Sequence, residues 1–271
     1  MRTEKLHFWM QAILGNVRWA SREKSRLTHL LLQETTEGAV RTLDIGCGNG
    51  YFAWKAAAQG TSCIGITIHE AELRRCEALR NHLGIAESRL RFKLQSLKDF
   101  ALREPEASFD QVLMLDVLEH IRDDLGTLKT VHRLLAKDGF LFVTVPNRDY
   151  ERSTKERHVQ RRELGWHIRH SYTFEQLEAR LEAAGFEPVD RRAYGNKGSR
   201  LIIEAQRRVF RNHPVSLLLF PLFYGVSALL SWWRDPHTLL VIARKRDAAE
   251  DPKPEASSSQ RGRLIHASAR A

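Results

Sequence analysis

Short apolar runs alternate with helical patterns from residue 40 to residue 145, and this alternation limits the fold more than any other feature of the sequence. Such an order is typical of βα units that build a parallel sheet. A capping-box signal, Thr173 with Gln176, then opens one further helix, which Gly185 ends. The strands are predicted at 41–45, 62–66, 90–94, 109–115, 140–145, 186–194 and 237–244. The helices are predicted at 51–58, 70–82, 124–135 and 173–184.

The chain is predicted to form one principal domain with additions at both ends. Residues 1–36 are expected to be covering helices, and residues 37–246 the α/β domain, with an apolar insertion at 196–236 between the last two strands. Residues 247–271 are rich in Ser, Ala and Pro and lack apolar periodicity. This tail is therefore predicted to be disordered.

A glycine-rich turn follows the first predicted strand, in the sequence LDIGCGNGY at residues 43–51. Glycines allow a tight turn and a close approach of ligand, and the helix that follows offers free N–H groups. The spacing G-x-G-x-G places Tyr51 where a dinucleotide-binding loop would need another small residue, which argues against NAD. Asp44 lies just before the loop and suits a ligand with a cationic end, such as an ammonium group.

Two further stretches follow the glycine turn in a fixed order, FDQVLMLDVLEHI at 109–121 and LLAKDGF at 134–140. Together the three stretches resemble the motifs of class I methyltransferases that depend on S-adenosylmethionine (SAM). Within that class they are similar to methyltransferase types 11 and 12 and to the ubiquinone-biosynthesis O-methyltransferases. The resemblance implies SAM as the cofactor. It also implies a Rossmann-like, doubly wound sheet of seven strands, mostly parallel with an antiparallel last strand.

The resemblance further implies which residues bind the two ends of SAM. Asp44, Gly46 and Gly48 would hold its methionine end. On the adenine side the family usually has an acid after the third strand, and Ser96 lies in that region instead. Ser96 is expected to hydrogen-bond the adenine amino group.

The ribose contact departs from the usual family pattern. An acid normally ends the second strand and binds the ribose hydroxyls, but Thr67 stands there. A similar Thr occurs in cyclopropane-fatty-acid-synthase-like enzymes, where a residue five positions later takes the ribose, and that position is Glu72. The full set implied as cofactor-binding is Asp44, Gly46, Cys47, Gly48, Thr67, Glu72, Ser96, Leu97 and Asp116.

Asp116, Glu119 and His120 follow the fourth predicted strand, where the family places its acceptor. Methyl transfer from a sulfonium mainly requires alignment of donor and acceptor. A general base is needed only when the acceptor must lose a proton. His120 is the best candidate because the ordinary pKa of imidazole lies near neutrality. Glu119 is the second catalytic candidate.

Two other interpretations of this Asp-x-x-Glu-His segment stay open. It resembles the Glu-x-x-Glu-His of ubiquinone-biosynthesis O-methyltransferases, where acids and His bind a divalent cation. The three side chains would share one face only if the segment were helical. Glu119 and His120 are alternatively part of a hydrogen-bonded structural turn. We assign no metal. The segment 147–170, with its three histidines, is a further acceptor-side candidate.

The chain carries a net charge of +10, and most of the excess lies near one uncharged segment. Between residues 191 and 246 there are eleven Lys and Arg residues against two acids, and residues 212–233 contain no charged residue. That segment is long enough to span a bilayer, but Pro221, Gly225 and the strand that follows favour an element on the surface. Trp232 and Trp233 suit the headgroup level. We predict contact with an anionic membrane surface through residues 207–234; a buried helical pair, a dimer interface and a true span are alternatives.

The sequence thus predicts a SAM-dependent methyltransferase that acts at a membrane surface on an amphipathic or lipid-linked small molecule, on oxygen. Three sparse cysteines and the absence of a signal-like segment in the first thirty residues favour the cytoplasmic side of the membrane. Alternatives are a C-methyltransferase of the cyclopropane-synthase type, an NAD(P)-dependent oxidoreductase and a nucleic-acid-binding methyltransferase. Nucleic acid is disfavoured because no base-flipping motif follows the fourth strand and few aromatics interleave with the basic run. The oligomeric state stays open.

Overall fold

A computed structural model of the protein describes residues 40–149, 171–208 and 219–246, which contain one seven-stranded sheet. The strands are β1 (Arg41–Ile45), β2 (Ser62–Thr67), β3 (Leu90–Leu94), β4 (Phe109–Leu115), β5 (Leu135–Pro146), β6 (Phe186–Asn196) and β7 (Arg234–Lys245). The helices are α1 (Tyr51–Ala58), α2 (Glu70–His82), α3 (Leu97–Ala101), α4 (Asp124–Leu134), α5 (Phe174–Ala183), α6 (Lys197–Arg208) and α7 (Phe220–Leu229).

The sheet has the strand order β3-β2-β1-β4-β5-β7-β6. Neighbours from β3 to β5 are parallel, whereas β7 is antiparallel to both β5 and β6. The predicted seven-stranded, mostly parallel sheet with an antiparallel last strand is therefore confirmed. Because the chain order reverses between β1 and β4, the loops after these two strands flank a crevice of the kind that binds ligands in doubly wound folds.

Alternate side chains of the central strands enter two apolar cores, one on each face of the sheet. In β4, Val112 and Met114 pack with residues of α3, α4 and α5, whereas Leu113 packs with residues of α1 and α2 on the opposite face. Both cores are continuous and buried, as parallel sheets covered by helices require. This packing fixes the carboxyl ends of β1, β2 and β4 relative to one another.

The structure extends several predicted elements and adds three helices, α3, α6 and, within the predicted apolar insertion, α7. β5 begins at Leu135, which pairs with Phe109, and β7 begins at Arg234, which pairs with Asn196 at the end of β6. The short helix α3 was not predicted; Ser96 caps it by accepting a hydrogen bond from the Asp99 backbone N–H. Helix α6 was not predicted either, because its basic residues mask a short apolar stripe.

The predicted insertion between the last two strands contains α6 and α7, which pack against each other around the buried side chains of Ile202 and Phe223. In the described parts of the chain, no helix combines the length and apolar character needed to cross a membrane. The expectations for residues 1–36 and 247–271 lie outside the described residues.

Candidate active site

The predicted site residues come together at one edge of the sheet, where the parallel strands β1 to β5 end. The glycine turn follows β1, Thr67 ends β2, Ser96 lies just beyond β3, and Asp116 follows β4. Carboxyl ends of parallel strands share an edge, so side chains from four separate stretches converge there.

The glycine turn owes its shape to three residues with left-handed backbone angles. Gly46, Gly48 and Gly50 have φ of +69°, +56° and +75°, a region that other L residues rarely adopt. A Cβ atom on Gly46 would lie 2.6 Å from Cγ2 of Val117, whereas one on Gly48 would meet nothing closer than the Gly46 carbonyl oxygen at 3.9 Å. The turn is therefore packed against the segment after β4 at Gly46 and open at Gly48.

Asp44, at the end of β1, carries an unsatisfied buried oxygen. Its side chain is only 2% exposed, and Oδ2 has no hydrogen-bond partner within the part of the chain that the structure describes. Burial raises the pKa of Asp44 to about 7, and a hydrogen bond from the Ala53 backbone opposes that rise. A buried acceptor without a partner costs free energy unless a ligand supplies the donor. Asp44 therefore fits the ammonium end of SAM.

Thr67 and Glu72 form a joint polar group at the end of β2. The Thr67 hydroxyl donates a hydrogen bond of 2.6 Å to Oε2 of Glu72, and it accepts one of 3.1 Å from the His69 N–H. Thr67 is buried and Glu72 is half-buried. The threonine thus orients the glutamate. The second carboxylate oxygen of Glu72 is a hydrogen-bond acceptor of the kind that ribose hydroxyls need.

The side chains of three other predicted cofactor residues make contacts within the protein. Ser96 donates a hydrogen bond of 2.6 Å to the Asp99 carboxylate and accepts one of 3.2 Å from the Asp99 N–H, which leaves one lone pair of its oxygen for an amino group. Leu97 packs against the core. Cys47 is buried with its Sγ 3.9 Å from Sγ of Cys76, and that hydrogen bond together with burial raises the pKa of the Cys47 thiol far above its ordinary value. Cys47 is therefore a packing residue rather than a nucleophile.

Asp116 has a strained backbone and is held by β5. Its φ is +57°, which is uncommon for a residue other than glycine, and its N–H donates to the Thr144 carbonyl oxygen at 3.0 Å. The Thr144 hydroxyl donates to Oδ1 of Asp116 at 2.9 Å. Strained residues of this kind persist where the surroundings over-determine them, and they cluster at functional sites.

Glu119 and His120 lie on a single 3₁₀ turn, Leu118–His120, and differ in exposure. Glu119 is 1% exposed, whereas His120 is exposed at the edge of the sheet. Asp116 lies outside the turn in a left-handed conformation, so the segment lacks the helical face on which the metal hypothesis depended. Among the residues that the structure describes, no group of three or more His, Cys, Asp or Glu side chains could hold a metal ion.

Two residues that shape the site were not identified from the sequence. Val117 closes the crevice against Gly46, and Thr144 fixes Asp116. A signal for Thr144 was present, because it is a polar residue near the end of an apolar strand. The histidines predicted for the acceptor side all lie in 151–170, outside the described residues.

The comparisons with known proteins agree with this geometry. Residues 17–191 match a family described as methyltransferase domain. A ubiquinone biosynthesis O-methyltransferase of Ruegeria pomeroyi is 32% identical over 161 residues, which are 57% of this chain and 63% of that protein. The chain therefore matches less than two thirds of the length of this relative.

Solved structures share the fold. A SAM-dependent methyltransferase from Archaeoglobus fulgidus superposes with a TM-score of 0.57 at 18% identity, covering 89% of this chain and 99% of that one. The cyclase SpnF superposes with a TM-score of 0.56 at 25% identity, covering 82% of this chain and 80% of that one. The family match spans well over half of the chain, and it includes the glycine turn and the segment after β4. The chain belongs to the SAM-dependent methyltransferase family.

Proposed function

We propose that this protein transfers the methyl group of SAM to an oxygen atom of an amphipathic acceptor at a membrane surface. The observation that carries the proposal is the exposed His120 at the same edge of the sheet as the glycine turn and Asp44. SAM supplies a methyl carbon that is already activated by a sulfonium. The protein's own residues must therefore bind the cofactor, align the acceptor with its methyl group and remove the proton of the acceptor.

The cofactor is held by groups with the matching chemistry. The Asp44 carboxylate accepts hydrogen bonds from the ammonium group of the methionine end, and its burial makes that ion pair strong because the local dielectric is low. Glu72, oriented by Thr67, accepts hydrogen bonds from the ribose hydroxyls. The open space beside Gly48 admits the ligand close to the backbone.

His120 acts as the general base. Its imidazole takes the proton of the acceptor hydroxyl as the oxygen attacks, and such a contribution is typically about 10²- to 10⁴-fold in rate. Glu119 lies buried on the same turn and is placed to position that turn rather than to touch the acceptor. Asp116, fixed by Thr144, lies between the end of β4 and this turn.

Two observations support the amphipathic class of acceptor. The curated relatives are named as enzymes of ubiquinone biosynthesis, a name that implies an acceptor with a polar ring and an apolar chain. The helix α7 also presents exposed apolar side chains in this protein. A carbon acceptor is the second candidate, and it is favoured by the Thr67–Glu72 arrangement that resembles the cyclopropane-synthase type.

The direct test is transfer of a labelled methyl group. SAM with an isotopic methyl label is incubated with a lipid extract from cells that lack the protein, and products are sought that are heavier by one CH₂ unit. Fragmentation of the product then distinguishes attachment to oxygen from attachment to carbon. SpnF, which has a similar structure, is a cyclase, so the fold alone does not establish methyl transfer. The absence of any labelled product from an extract that contains the acceptor would contradict methyl transfer.

Substitution of the proposed base gives a sharper test. We expect His120→Ala to lower turnover by about 100-fold while leaving the affinity for SAM unchanged, because the imidazole acts only on the acceptor. His82→Ala is the matched control, since His82 is the last residue of α2 and lies at the opposite edge of the sheet. Turnover of His120→Ala within about twofold of the unmodified protein would rule out the role of base.

A further inference from the structure

The α6–α7 hairpin emerges from the same edge of the sheet as the candidate active site. β5 is parallel to β4, and β7 is antiparallel to β5 and to β6. The carboxyl end of β6 and the amino end of β7, which flank the hairpin, are therefore at the edge where β1 and β4 end. Asn147, just after β5, joins the two regions: its N–H and its side-chain amide donate to the carbonyl oxygens of His237 and Pro236.

The two helices pack closely against each other. A Cβ atom on Gly198 would lie 2.8 Å from Cα of Ser227, so glycine is needed where α6 meets α7. Ile202 and Phe223 are buried in the contact, with Val226 packed against them. This small cluster uses the inner face of α7 and fixes the hairpin as a unit.

The outer face of α7 is apolar as well. Leu222 and Leu229 are 60% and 74% exposed, and Trp232, just after the helix, is 75% exposed. α7 contains no charged residue. A helix that is apolar all round is normally buried in a protein core or in contact with lipid. The exposed side chains of α7 therefore point to a non-aqueous partner.

The charges around these apolar residues are positive. Lys197 lies with its Nζ 3.0 Å from the ring centroid of Trp233, which stacks on Trp232, and Arg234 is exposed at the start of β7. No acid occurs between Glu204 and Asp235. Tryptophans beside cations are typical of the headgroup level of a membrane.

The structure also corrects the predicted extent of the basic cluster. Arg244, Lys245 and Arg246 lie at the other end of the twelve-residue strand β7, far from the hairpin. Arg191 and Arg192 lie along β6 and pair with Glu178 and Asp190. The cations that accompany the hairpin are thus a subset of the eleven counted in the sequence.

We propose that the α6–α7 hairpin binds the protein to an anionic lipid surface with the catalytic edge of the sheet facing the bilayer. Leu222, Leu229 and Trp232 enter the interfacial region while Lys197 and Arg234 contact lipid phosphates. The acceptor then reaches His120 from the membrane without crossing water. This orientation rests on the proposed function for its acceptor, but the binding itself does not.

A second copy of the chain fits this surface less well. A two-fold dimer places the same patch of each copy against the other, so Lys197 and Arg234 would approach their own counterparts, and Glu204, the acid of α6, is already paired with Arg200. An anionic lipid surface offsets these charges and takes the apolar side chains at once. The charge of the patch therefore favours lipid.

Vesicle flotation of the full chain tests the binding. The vesicles are phosphatidylcholine with about one third phosphatidylglycerol. We expect the triple variant Leu222→Ser, Leu229→Ser, Trp232→Ser to lose at least about tenfold in partitioning, because each residue loses apolar burial. Leu102→Ser is the matched control, since Leu102 is 78% exposed and lies at the opposite edge of the sheet; it should partition within about twofold of the unmodified protein.

Several outcomes of this experiment would overturn the proposal. They are absence of flotation of the unmodified chain, equal flotation of the triple variant, and a dimer in sedimentation that the triple variant abolishes. Unchanged SAM affinity of the triple variant shows that its fold is intact. If that affinity is lost as well, the fluorescent-dye experiment decides whether the hairpin binds lipid, because it changes only one residue of the hairpin.

A fluorescent label tests the orientation. All three native cysteines, Cys47, Cys63 and Cys76, are buried, so an environment-sensitive dye reacts selectively with an introduced thiol. We expect a blue shift on adding vesicles for Leu229→Cys and none for Leu102→Cys. Equal shifts, or none at Leu229→Cys, would contradict the orientation.

Activity separates failure of this inference from failure of the proposed function. With lipid extract reconstituted into vesicles, the triple variant should incorporate at least about tenfold less labelled methyl group, and in detergent micelles within about twofold of the unmodified protein. Equal activity in vesicles would overturn delivery from the membrane while leaving methyl transfer established. Vesicle binding without any methyl transfer would refute the proposed function and leave the hairpin's role intact.

Discussion

The glycine turn and the α6–α7 hairpin lie at the same edge of the sheet but are built in opposite ways. Just before the turn, β1 buries a polar group, Asp44, whose Oδ2 finds no partner among the described residues. The hairpin exposes apolar groups, among them Leu229 and Trp232. Both arrangements cost free energy in the isolated chain, one by desolvating a carboxylate and the other by hydrating hydrocarbon. Each cost indicates the chemistry of its partner: a small cation in the first case and lipid in the second.

The largest expected effect comes from removing the charge of the buried carboxylate. Asp44→Asn keeps the shape of the side chain but removes the ion pair with the ammonium group. We expect the affinity for SAM to fall by about 100-fold at pH 8, as for other buried charge pairs that lose one partner. Isothermal titration measures the loss. An affinity within about threefold of the unmodified protein would show that Asp44 does not bind the ammonium group.

The same substitution should have the opposite effect on stability. Because the pKa of Asp44 is raised to about 7 in the folded protein from 3.8, ionisation of Asp44 destabilises the fold. The free energy of unfolding contributed by this group therefore falls as pH rises from about 4 to about 7. Without SAM, Asp44→Asn should be more stable than the unmodified protein at pH 8, by up to about 4 kcal/mol, and the gap should close towards pH 4.

Denaturant unfolding across this pH range, with and without SAM, checks the sign. SAM binding to the unmodified protein should strengthen as pH rises through 7, because the ionised carboxylate binds the ammonium group. In Asp44→Asn this pH dependence should vanish. A variant that is less stable than the unmodified protein at pH 8 would contradict the account of Asp44 as a carboxylate held for its ligand.

The next effect tests how the turn is closed. Gly46→Ala forces a left-handed φ on alanine and brings its Cβ to 2.6 Å from Val117. The two costs together predict about a 30-fold loss of SAM affinity. Gly48→Ala is the matched control, since it has a similar φ of +56° but open space around its Cβ. Its loss should be about fivefold. Equal losses in the two variants would mean that the contact with Val117 does not shape the site.

The core strands and the glycine turn were predictable because their signals are local. β1, β3 and β4 are short stretches rich in apolar residues, and the structure gives them the predicted bounds. Helices α1 and α2 also begin and end where predicted. In each case the apolar residues that stabilise the element by burial lie within the element itself, so a short stretch of sequence is enough to predict it. Thr173 and Gln176 likewise form the predicted capping box.

The rest depended on contacts between distant parts of the chain. The bond between Thr67 and Glu72 needs the turn of backbone at His69, and the strained φ of Asp116 needs Thr144 from another strand. The basic cluster was predicted to be larger than it is. A count along the sequence ignores that the length of the strand β7 separates Arg244 from the hairpin. Exposure of the hairpin is also a property of packing that no count of residues gives.

The smallest expected effect comes from substituting a glycine of the hairpin that, unlike Gly46, has open space around it. Gly225 lies within α7, and a Cβ atom there would meet nothing within 4 Å. Alanine removes the entropic cost of glycine in a helix, so Gly225→Ala should raise the free energy of unfolding by about 0.5–1 kcal/mol and leave SAM affinity unchanged. Denaturant unfolding measures the gain. A loss of stability would show that a neighbour covers this face of α7, and the contrast between a closed glycine turn and an open hairpin would then fail.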